Sequence, residues 1–268
     1  MEEAQDNQQE PVPRQVLYEH PLNERIRTFL RLEYLFAQAA HHIKRGSEWD
    51  SRASLGCILE ILSILGNTNL KSEVFKELER HASGLKRLEK NPDIDLGRLT
   101  GLLDTIAHLI DRLHRINGQI GSELKSSEFL ISIHQRSTIP GGTCDFDLPA
   151  FHYWSQQPAK VRTEDLYRWL NCFDDIGEAI RFILKLTRES TTLKPVVADM
   201  GIYQKTLDPN LPYQMVRIAL PADSPYFAEL SGGRHRFTAR FLNFSALFED
   251  RARQADRDVK FELACCAI

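Results

Sequence analysis

The N-terminal and middle parts of the chain place hydrophobic residues three and four positions apart, which is the spacing of amphipathic helices. The first such pattern predicts a helix over Leu22–Lys44. The same spacing predicts further helices over Ser51–Leu65, Leu70–Lys90, Leu96–Asn117, Ser122–Gln135 and Thr163–Thr187, and a short one over Pro149–Gln156. We expect Gly66 to cap the end of the second helix and Asp147 to cap the start of the short one.

From Thr191 onward the pattern changes to the two-residue alternation of strands. Strands are predicted at Gln15–Glu19 near the start of the chain and, in the C-terminal region, at Gly201–Leu207, Tyr213–Leu220, Gly232–Phe241 and Val259–Cys266. Helices first and strands afterwards favour an α+β fold with segregated parts. We therefore expect an N-terminal helical domain of antiparallel helices and a smaller antiparallel β-sheet domain. The latter is built mainly from the C-terminal region plus the short N-terminal strand.

Four segments follow from this pattern. Residues 1–14 are acidic and rich in glutamine, which predicts a disordered tail. Residues 15–20 are the strand that joins the β domain, residues 21–190 form the helical domain, and residues 191–268 form the β-strand domain. The order of helices and strands argues against a doubly wound nucleotide-binding fold. The sequence also has neither a Gly-x-Gly-x-x-Gly motif nor a P-loop.

Composition narrows the class of protein. Of 268 residues, 42% are hydrophobic and 26% are charged, and the formal net charge is −3, which is typical of a soluble globular protein rather than a strongly basic nucleic-acid-binding domain. The sequence shows no secretory signal and no apolar window long enough for a membrane span. Five cysteines without a C-x-x-C motif indicate a reducing, cytoplasmic compartment and no zinc site. We expect no metal and no cofactor.

The stretch GGRHRFTARF at Gly232–Phe241 is the most unusual pattern in the chain. Read as a strand, it places Arg234, Arg236, Thr238 and Arg240 on one face, and His235, Phe237, Ala239 and Phe241 on the other. Arginine makes planar, two-pronged contacts with carboxylates and phosphates, so these arginines are suited to binding an anionic partner. On the residues alone, a binding surface and a plain solvent-exposed basic face remain equally open.

The sequence gives little support for a catalytic site. Cys144 lies eight residues before His152, and a Cys–His pair can form a thiolate nucleophile. Such pairs are normally assembled from distant segments, however, and nothing nearby suggests an oxyanion hole. No pair of carboxylates stands out as a general acid and base. We therefore prefer a structural role for the segment that contains Cys144 and His152, and we expect that the chain is not an enzyme.

Five blocks of sequence, in the same order, resemble the Z-ring-associated protein D (ZapD) family of bacterial cell-division proteins. The blocks are VLYEHPLNERIRTFLRLEYLF at Val16–Phe36, KELERH at Lys76–His81, SIHQRSTIPGGTCDFDLPAFHYW at Ser132–Trp154, GRHRFTARF at Gly233–Phe241 and FELACC at Phe261–Cys266. The resemblance therefore extends over nearly the whole chain. The tail at residues 1–14 and the segment around Ala246–Asp256 carry no family motif.

The resemblance implies a cytosolic, non-enzymatic homodimer, recruited to midcell, that binds the acidic C-terminal tail of the tubulin-like protein FtsZ and bundles its filaments. It implies no membrane partner. The residues that match the family's basic tail-binding positions are Arg27, Arg31, Arg236 and Arg240, with Arg234, Lys71 and His152 as weaker candidates. Asn67 and Glu128 depart from the pattern, because relatives can carry arginine there. A tail site that relied on those two positions would be weaker or rearranged in this chain.

A second hypothesis keeps the same arginines and changes the partner. They could serve a nucleic-acid-binding module with a basic surface. The near-neutral charge of the chain and the lack of aromatic residues for base stacking on the arginine side both count against this alternative. Nucleic acid is therefore the less favoured partner.

Overall fold

The computed structural model describes residues 14–67, 69–92, 94–243 and 252–268. The predicted disordered tail, apart from Arg14, and most of the segment around Ala246–Asp256 lie outside the described residues. The chain divides into two compact units. The helical unit is Arg27–Leu186, and the β unit comprises the described residues of Met1–Ile26 and Thr187–Ile268.

The helices occupy the part of the chain where the three-four spacing predicts them. They are α1 Glu24–Ile43, α2 Glu48–Asn67, α3 Leu70–Leu88, α4 Leu96–Arg115, α5 Ser122–Lys125, α6 Glu128–Ser137, α7 Pro149–Ser155, α8 Ala159–Asn171 and α9 Asp174–Glu189. Within the described ranges no single helix is both long and apolar enough to cross a membrane. Helices α2 and α3, which meet at a bend of 81°, reach that length and composition only when taken together.

Two predicted helices are each divided in the structure. The stretch Thr163–Thr187 belongs to α8 and α9, which are separated at Cys172 and at Phe173, a fully buried residue. The stretch Ser122–Gln135 belongs to α5 and α6, and Ser127 caps the second of these by accepting a hydrogen bond from the Leu130 N–H at 3.4 Å. The hydrophobic spacing continues through both breaks, so periodicity alone does not reveal them.

Both predicted caps are wrong. Gly66 lies inside α2, which continues to Asn67. The residue before α7 is Leu148, and no side chain caps that helix. The Asp147 carboxylate instead accepts a hydrogen bond from the Cys144 thiol at 3.4 Å and lies 3.5 Å from Nη1 of Arg136. It therefore stabilises the preceding loop rather than the helix terminus.

The β unit contains two antiparallel sheets. Its strands are β1 Gln15–Pro21, β2 Lys194–Ala198, β3 Ile202–Thr206, β4 Tyr213–Pro221, β5 Tyr226–Gly232, β6 Arg236–Asn243 and β7 Val259–Ala267. One sheet has the order β1-β4-β7-β2 and the other the order β3-β6-β5. The N-terminal strand thus pairs with C-terminal strands, and the α+β prediction is confirmed.

Strands β2 and β5 are absent from the predicted set. Strand β2 contains Pro195, and proline is tolerated in a strand only at a sheet edge, which is where β2 lies. Of the seven residues of strand β5, only the third, Ala228, is buried. Both are edge strands with weak hydrophobic patterns, which explains why alternation does not single them out.

The core of the β unit lies between the two sheets. Val216 and Ile218 of β4 and Phe261 of β7 belong to the same buried cluster as Phe237 and Phe241 of β6. Because the cluster draws on one face of each sheet, the sheets pack face to face as in a sandwich. The opposite face of the three-stranded sheet is left outside this core.

One half-buried ion-pair group ties strands of the β unit to the end of α9. Glu19 accepts hydrogen bonds from Arg188 Nε at 2.8 Å and Arg188 Nη2 at 2.7 Å, and from Arg217 Nε at 3.1 Å. Burial alone would raise the pKa of Glu19, but the hydrogen bonds and positive charges of Arg188 and Arg217 outweigh it, so the pKa is lowered. These two arginines therefore have an internal, structural partner.

Candidate functional site

Strand β6 presents two arginines to solvent from the centre of the three-stranded sheet. Arg236 and Arg240 are exposed, whereas Phe237, Ala239 and Phe241 between and beyond them are fully buried. The exposure thus alternates as the sequence pattern predicts. Because β6 pairs with β3 on one side and β5 on the other, its backbone is held along both edges.

The buried side of β6 anchors the strand through aromatic packing. The ring centroid of Phe241 lies 4.8 Å from that of Phe261, and the ring of Phe237 lies 6.2 Å from that of Tyr203. Such contacts contribute beyond the area that they bury. The two arginine Cα positions are therefore fixed before any partner binds, about 13 Å apart along the strand.

The residues around these arginines follow from strand register. Three cross-strand rows make up the exposed face: Ile202–Arg240–Glu229, Gln204–Thr238–Ser231 and Thr206–Arg236. We call these eight residues the arginine face. It contains one carboxylate, Glu229, whose Oε2 lies 3.9 Å from Arg240 Nη1. Both side chains are at least half exposed, so this ion pair is weak.

Arg234 lies apart from the arginine face, in the turn between β5 and β6. The turn closes when the Gly233 N–H donates to the Arg236 carbonyl at 3.0 Å. His235, which the alternation places on the buried side, is exposed in this turn, because the strand begins only at Arg236. Its carbonyl accepts a hydrogen bond from the Leu207 N–H at 2.8 Å. The strand assignment of Arg234 and His235 is therefore corrected to a turn.

Two further candidate arginines lie on α1, in the helical unit. Arg31 is exposed, and Arg27, one turn earlier, is half-buried and engaged in other interactions of its own. Lys71 has a structural contact, since its Nζ donates to the Ile116 carbonyl at 2.8 Å just beyond the end of α4. Of the three cations, Arg31 is the most accessible to a partner.

His152 is exposed on α7 and lies near a polar group at the start of α2. There, Glu48 accepts hydrogen bonds from Gln156 at 2.9 Å and from Arg52 at 3.1 Å. The pKa of Glu48 is lowered, chiefly by the hydrogen bond from Gln156, and His152 adds a smaller electrostatic effect. His152 therefore belongs to a surface group that already has its own carboxylate.

The remaining chemical candidates gain no support from the geometry. In the described part of the chain, no hydrogen bond joins Cys144 to His152, and the Cys144 thiol is directed to Asp147. The same residues contain no group of three or more histidine, cysteine or acidic side chains able to hold a metal ion.

Glu128, one of the departures from the family pattern, begins α6. A carboxylate in the first turn of a helix is stabilised by the positive end of the helix dipole, whereas an arginine there would be disfavoured. The residue thus has a local stabilising role, and it adds no positive charge to the helical unit.

The structure distributes the candidate residues over both compact units. Arg234, Arg236 and Arg240 belong to the β unit, and the remaining candidates, Arg27, Arg31, Lys71 and His152, belong to the helical unit. Within the β unit, Arg236 and Arg240 lie on strand β6, and Arg234 lies in the turn before it. The arginine face is therefore the part of the candidate site whose geometry is defined most fully.

Comparison with known proteins gives a consistent family. The sequence model of the family described as "ZapD: Cell division protein" matches residues 30–240. A protein named "Cell division protein ZapD" from Methylococcus capsulatus is 42% identical over 254 residues, which is 95% of this chain and 99% of that protein. Proteins with the same name from Coxiella burnetii and Chromobacterium violaceum are each 34% identical. The alignments cover 94% of this chain and 98% and 99% of those proteins, respectively.

Proposed function

The chain belongs to the ZapD family of cell division proteins, and from this membership we propose that it is a non-enzymatic adaptor that binds the C-terminal tail of FtsZ. The family gives the chain a role in cell division. In our proposal it acts in the cytoplasm at midcell as a homodimer that bundles FtsZ filaments and supports Z-ring assembly. Neither a cofactor nor a membrane partner takes part.

The observation that carries this proposal is the arginine face. Arg236 and Arg240 are exposed, and they project from a strand that is paired on both edges and anchored by buried phenylalanines. A guanidinium group matches a carboxylate in two-pronged geometry. Because the strand is already ordered, an acidic peptide that binds it loses little affinity to ordering of the protein. An acidic tail is therefore the type of ligand that this face suits.

The other candidate cations take secondary roles in the proposal. Arg31 and Arg27 are the candidate contacts of the helical unit, and Arg234 is a further candidate in the β5–β6 turn of the β unit. His152 and Lys71 are weaker contributors, because the first lies near Glu48 and the second donates to the Ile116 carbonyl. Loss of Arg236 and Arg240 is accordingly expected to have the largest effect.

Dimerisation explains how tail binding becomes bundling. A dimer offers two equivalent tail sites related by a two-fold axis, so it can engage two filaments at once. A filament presents many tails, and simultaneous engagement raises the apparent affinity without new contacts. Each site can therefore be weak, which keeps the bundles reversible. Exposed charges are screened by salt, so bundling should weaken as ionic strength rises.

The test is co-sedimentation with FtsZ, with and without its C-terminal peptide. The double variant Arg236→Glu/Arg240→Glu should fold and dimerise normally but fail to sediment FtsZ as bundles. The matched control is Lys194→Glu/Lys260→Glu, which makes the same change in charge at exposed positions of the other sheet. This control should bundle like the wild type. Normal bundling by the arginine variant would rule out the arginine face as the site.

The nucleic-acid alternative is decided by a separate titration. Short duplex and single-stranded DNA would be titrated with the wild type in a gel-shift assay at low and high salt. Tight, sequence-independent binding that falls steeply with salt and is lost in the double arginine variant would favour that partner. We expect no such binding at the salt concentration where FtsZ is bundled.

A further inference from the structure

Met200 has an unusual backbone conformation. Among the described residues it is the one non-glycine residue with a positive φ, 46°, and it is followed by Gly201 at 74°. The two residues form a tight turn between β2 and β3, closed by a hydrogen bond from the Ile202 N–H to the Asp199 carbonyl at 2.8 Å. Two central residues with positive φ define the turn type that favours Asn-Gly or Gly-Gly. Methionine at the first position is strained, because its Cβ crowds the backbone.

Surrounding contacts hold this strained turn in place. The Met200 N–H donates to Asp258 Oδ1 at 3.1 Å, and Gln254 Nε2 donates to the Met200 carbonyl at 2.7 Å. The Gly201 carbonyl accepts a hydrogen bond from the Phe241 N–H on β6 at 2.8 Å. The backbone of the turn is therefore determined from several sides, whichever side chain residue 200 carries. Glycine at position 200 would adopt the same conformation without strain.

The side chain of Met200 contributes little to the stability of the fold. It is 52% exposed and lies outside the buried cluster of the β unit. Unfavourable backbone conformations that persist at exposed positions are concentrated at functional sites. The turn lies next to the arginine face. Ile202, two residues after Met200, lies on that face directly opposite Arg240 and is itself 43% exposed.

The arginine face thus changes character along its length. Arg236 and Thr238 make one end cationic and polar, whereas the other end combines the charged pair Arg240 and Glu229 with the exposed apolar side chain of Ile202, two residues after the exposed Met200. Ile202 lies beside Arg240, on β3. Directly opposed residues on neighbouring strands have Cβ atoms about 5 Å apart. Two adjacent side chains of a bound peptide can therefore contact Arg240 and Ile202 at the same time. A purely acidic ligand would leave the exposed side chains of Ile202 and Met200 uncovered.

We infer that the Met200 turn, together with Ile202, forms an apolar subsite that receives a hydrophobic side chain of the bound acidic peptide next to the carboxylate held by Arg240. This inference rests on the proposed tail-binding function and deepens it. The occupant is an extended peptide with an acidic residue and an adjacent apolar residue. The arginines supply the charge complementarity, and the apolar subsite distinguishes such a peptide from other acidic segments.

The test uses Met200→Gly, because this substitution removes the side chain and relieves the backbone strain. We expect an unfolding midpoint equal to or above that of the wild type, and a Kd for a labelled FtsZ C-terminal peptide that is about five- to tenfold higher. The salt dependence of binding should stay unchanged, since no charge is lost. In contrast, Arg240→Gln should flatten the salt dependence.

A second pair of variants keeps the inference testable if the turn behaves unexpectedly. Ile202→Thr should also weaken binding of the peptide. Val197→Thr, at a strand position on β2 outside the arginine face that is 50% exposed against 43% for Ile202, should not. Wild-type affinity in both Met200→Gly and Ile202→Thr would overturn the apolar subsite. If the wild type itself fails to bind the peptide, the proposed function fails. If the wild type binds and only Arg236→Glu/Arg240→Glu is defective, the inference alone fails.

Discussion

Arg240 Nη1 lies 3.9 Å from Glu229 Oε2 across the β5–β6 pair, with the two side chains 50% and 57% exposed. The arginine face therefore carries its own carboxylate, next to one of its two arginines. Arg236, four residues earlier, has no ion pair among the described residues. A carboxylate from a partner must compete with Glu229 for Arg240 but meets no such competitor at Arg236.

Removing that competitor should strengthen binding. We expect Glu229→Gln to lower the Kd for the FtsZ C-terminal peptide about two- to fivefold, because an exposed ion pair contributes about 0–1 kcal/mol. Fluorescence anisotropy at low salt measures the effect. The matched control is Asp223→Asn, which removes one negative charge from the exposed β4–β5 turn. If both variants gain equally, the cause is net charge and Glu229 does not compete at Arg240.

The sequence predicts part of the arginine face but not all of it. Alternation in the sequence correctly separates Arg236 and Arg240 from Phe237 and Phe241, because the side-chain period of a strand is local information. It cannot place Glu229 beside Arg240. That neighbour depends on the register between two strands, which is set by the turn and by core packing rather than by either strand alone.

In the helical unit, the sequence pattern predicts the helices but not all of the breaks between them. Three-four spacing predicts the presence and order of the helices, but it runs without interruption through the break at Phe173. The first turn of α9 carries Asp174 and Asp175, which is a typical start signal and could have indicated that break. The backbone of Met200 gives no such signal, since methionine is not a residue that sequence rules assign to a positive φ.

The Glu19 ion-pair group should stabilise the β unit in a pH-dependent way. Replacing Glu19 by Gln leaves Arg188 and Arg217 without their carboxylate, and we expect a loss of about 1–3 kcal/mol in unfolding free energy at pH 7. Because the folded-state pKa of Glu19 is lowered, its contribution is present in full above the ordinary value of 4.5 and disappears as the pH falls through the folded value. Urea unfolding at several pH values measures both effects.

The wild type and Glu19→Gln should therefore converge in stability as the pH falls through the lowered folded-state pKa of Glu19. Glu262→Gln is a suitable control. Glu262 lies on β7 of the same sheet and accepts a hydrogen bond from the exposed Gln15, so its loss should matter far less. An undiminished gap between wild type and Glu19→Gln at acidic pH would show that the substitution acts through packing rather than through charge.

His81 should produce a different acid sensitivity in the helical unit. The side chain is buried on α3, and its Nε2 has no hydrogen-bond partner among the described atoms. Burial, together with the positive charge of Arg80, lowers the pKa of His81 to about 4. The unfolded chain takes up this proton near pH 6.5, so stability falls as the pH drops from 6.5 to about 4, by up to about 3 kcal/mol.

His81→Leu removes the titrating group and leaves no buried polar atom at this position. We expect it to flatten the loss of stability between pH 6.5 and 4, while the exposed His108→Gln should leave the wild-type profile unchanged. Unfolding free energies from urea titrations across this range measure the slope. A His81→Leu profile as steep as that of the wild type would place the acid sensitivity elsewhere.

The two adjacent glycines before the arginines should differ sharply in their tolerance of alanine. Gly232 has a φ of 152°, and a Cβ there would lie 2.5 Å from Phe237 Cα and 2.6 Å from the Arg236 carbonyl oxygen. Both neighbours are backbone atoms of β6, so they cannot move aside without disturbing the strand. At Gly233, a Cβ would have no atom within 4 Å.

We expect Gly232→Ala to destabilise the β unit by about 2 kcal/mol or more and Gly233→Ala to be nearly neutral. Thermal unfolding compares the two, and peptide binding by the folded fraction shows whether the arginines remain in place. Equal stability of the two variants would mean that the β5–β6 turn can relax, and the arginine face would then be less rigid than its packing indicates.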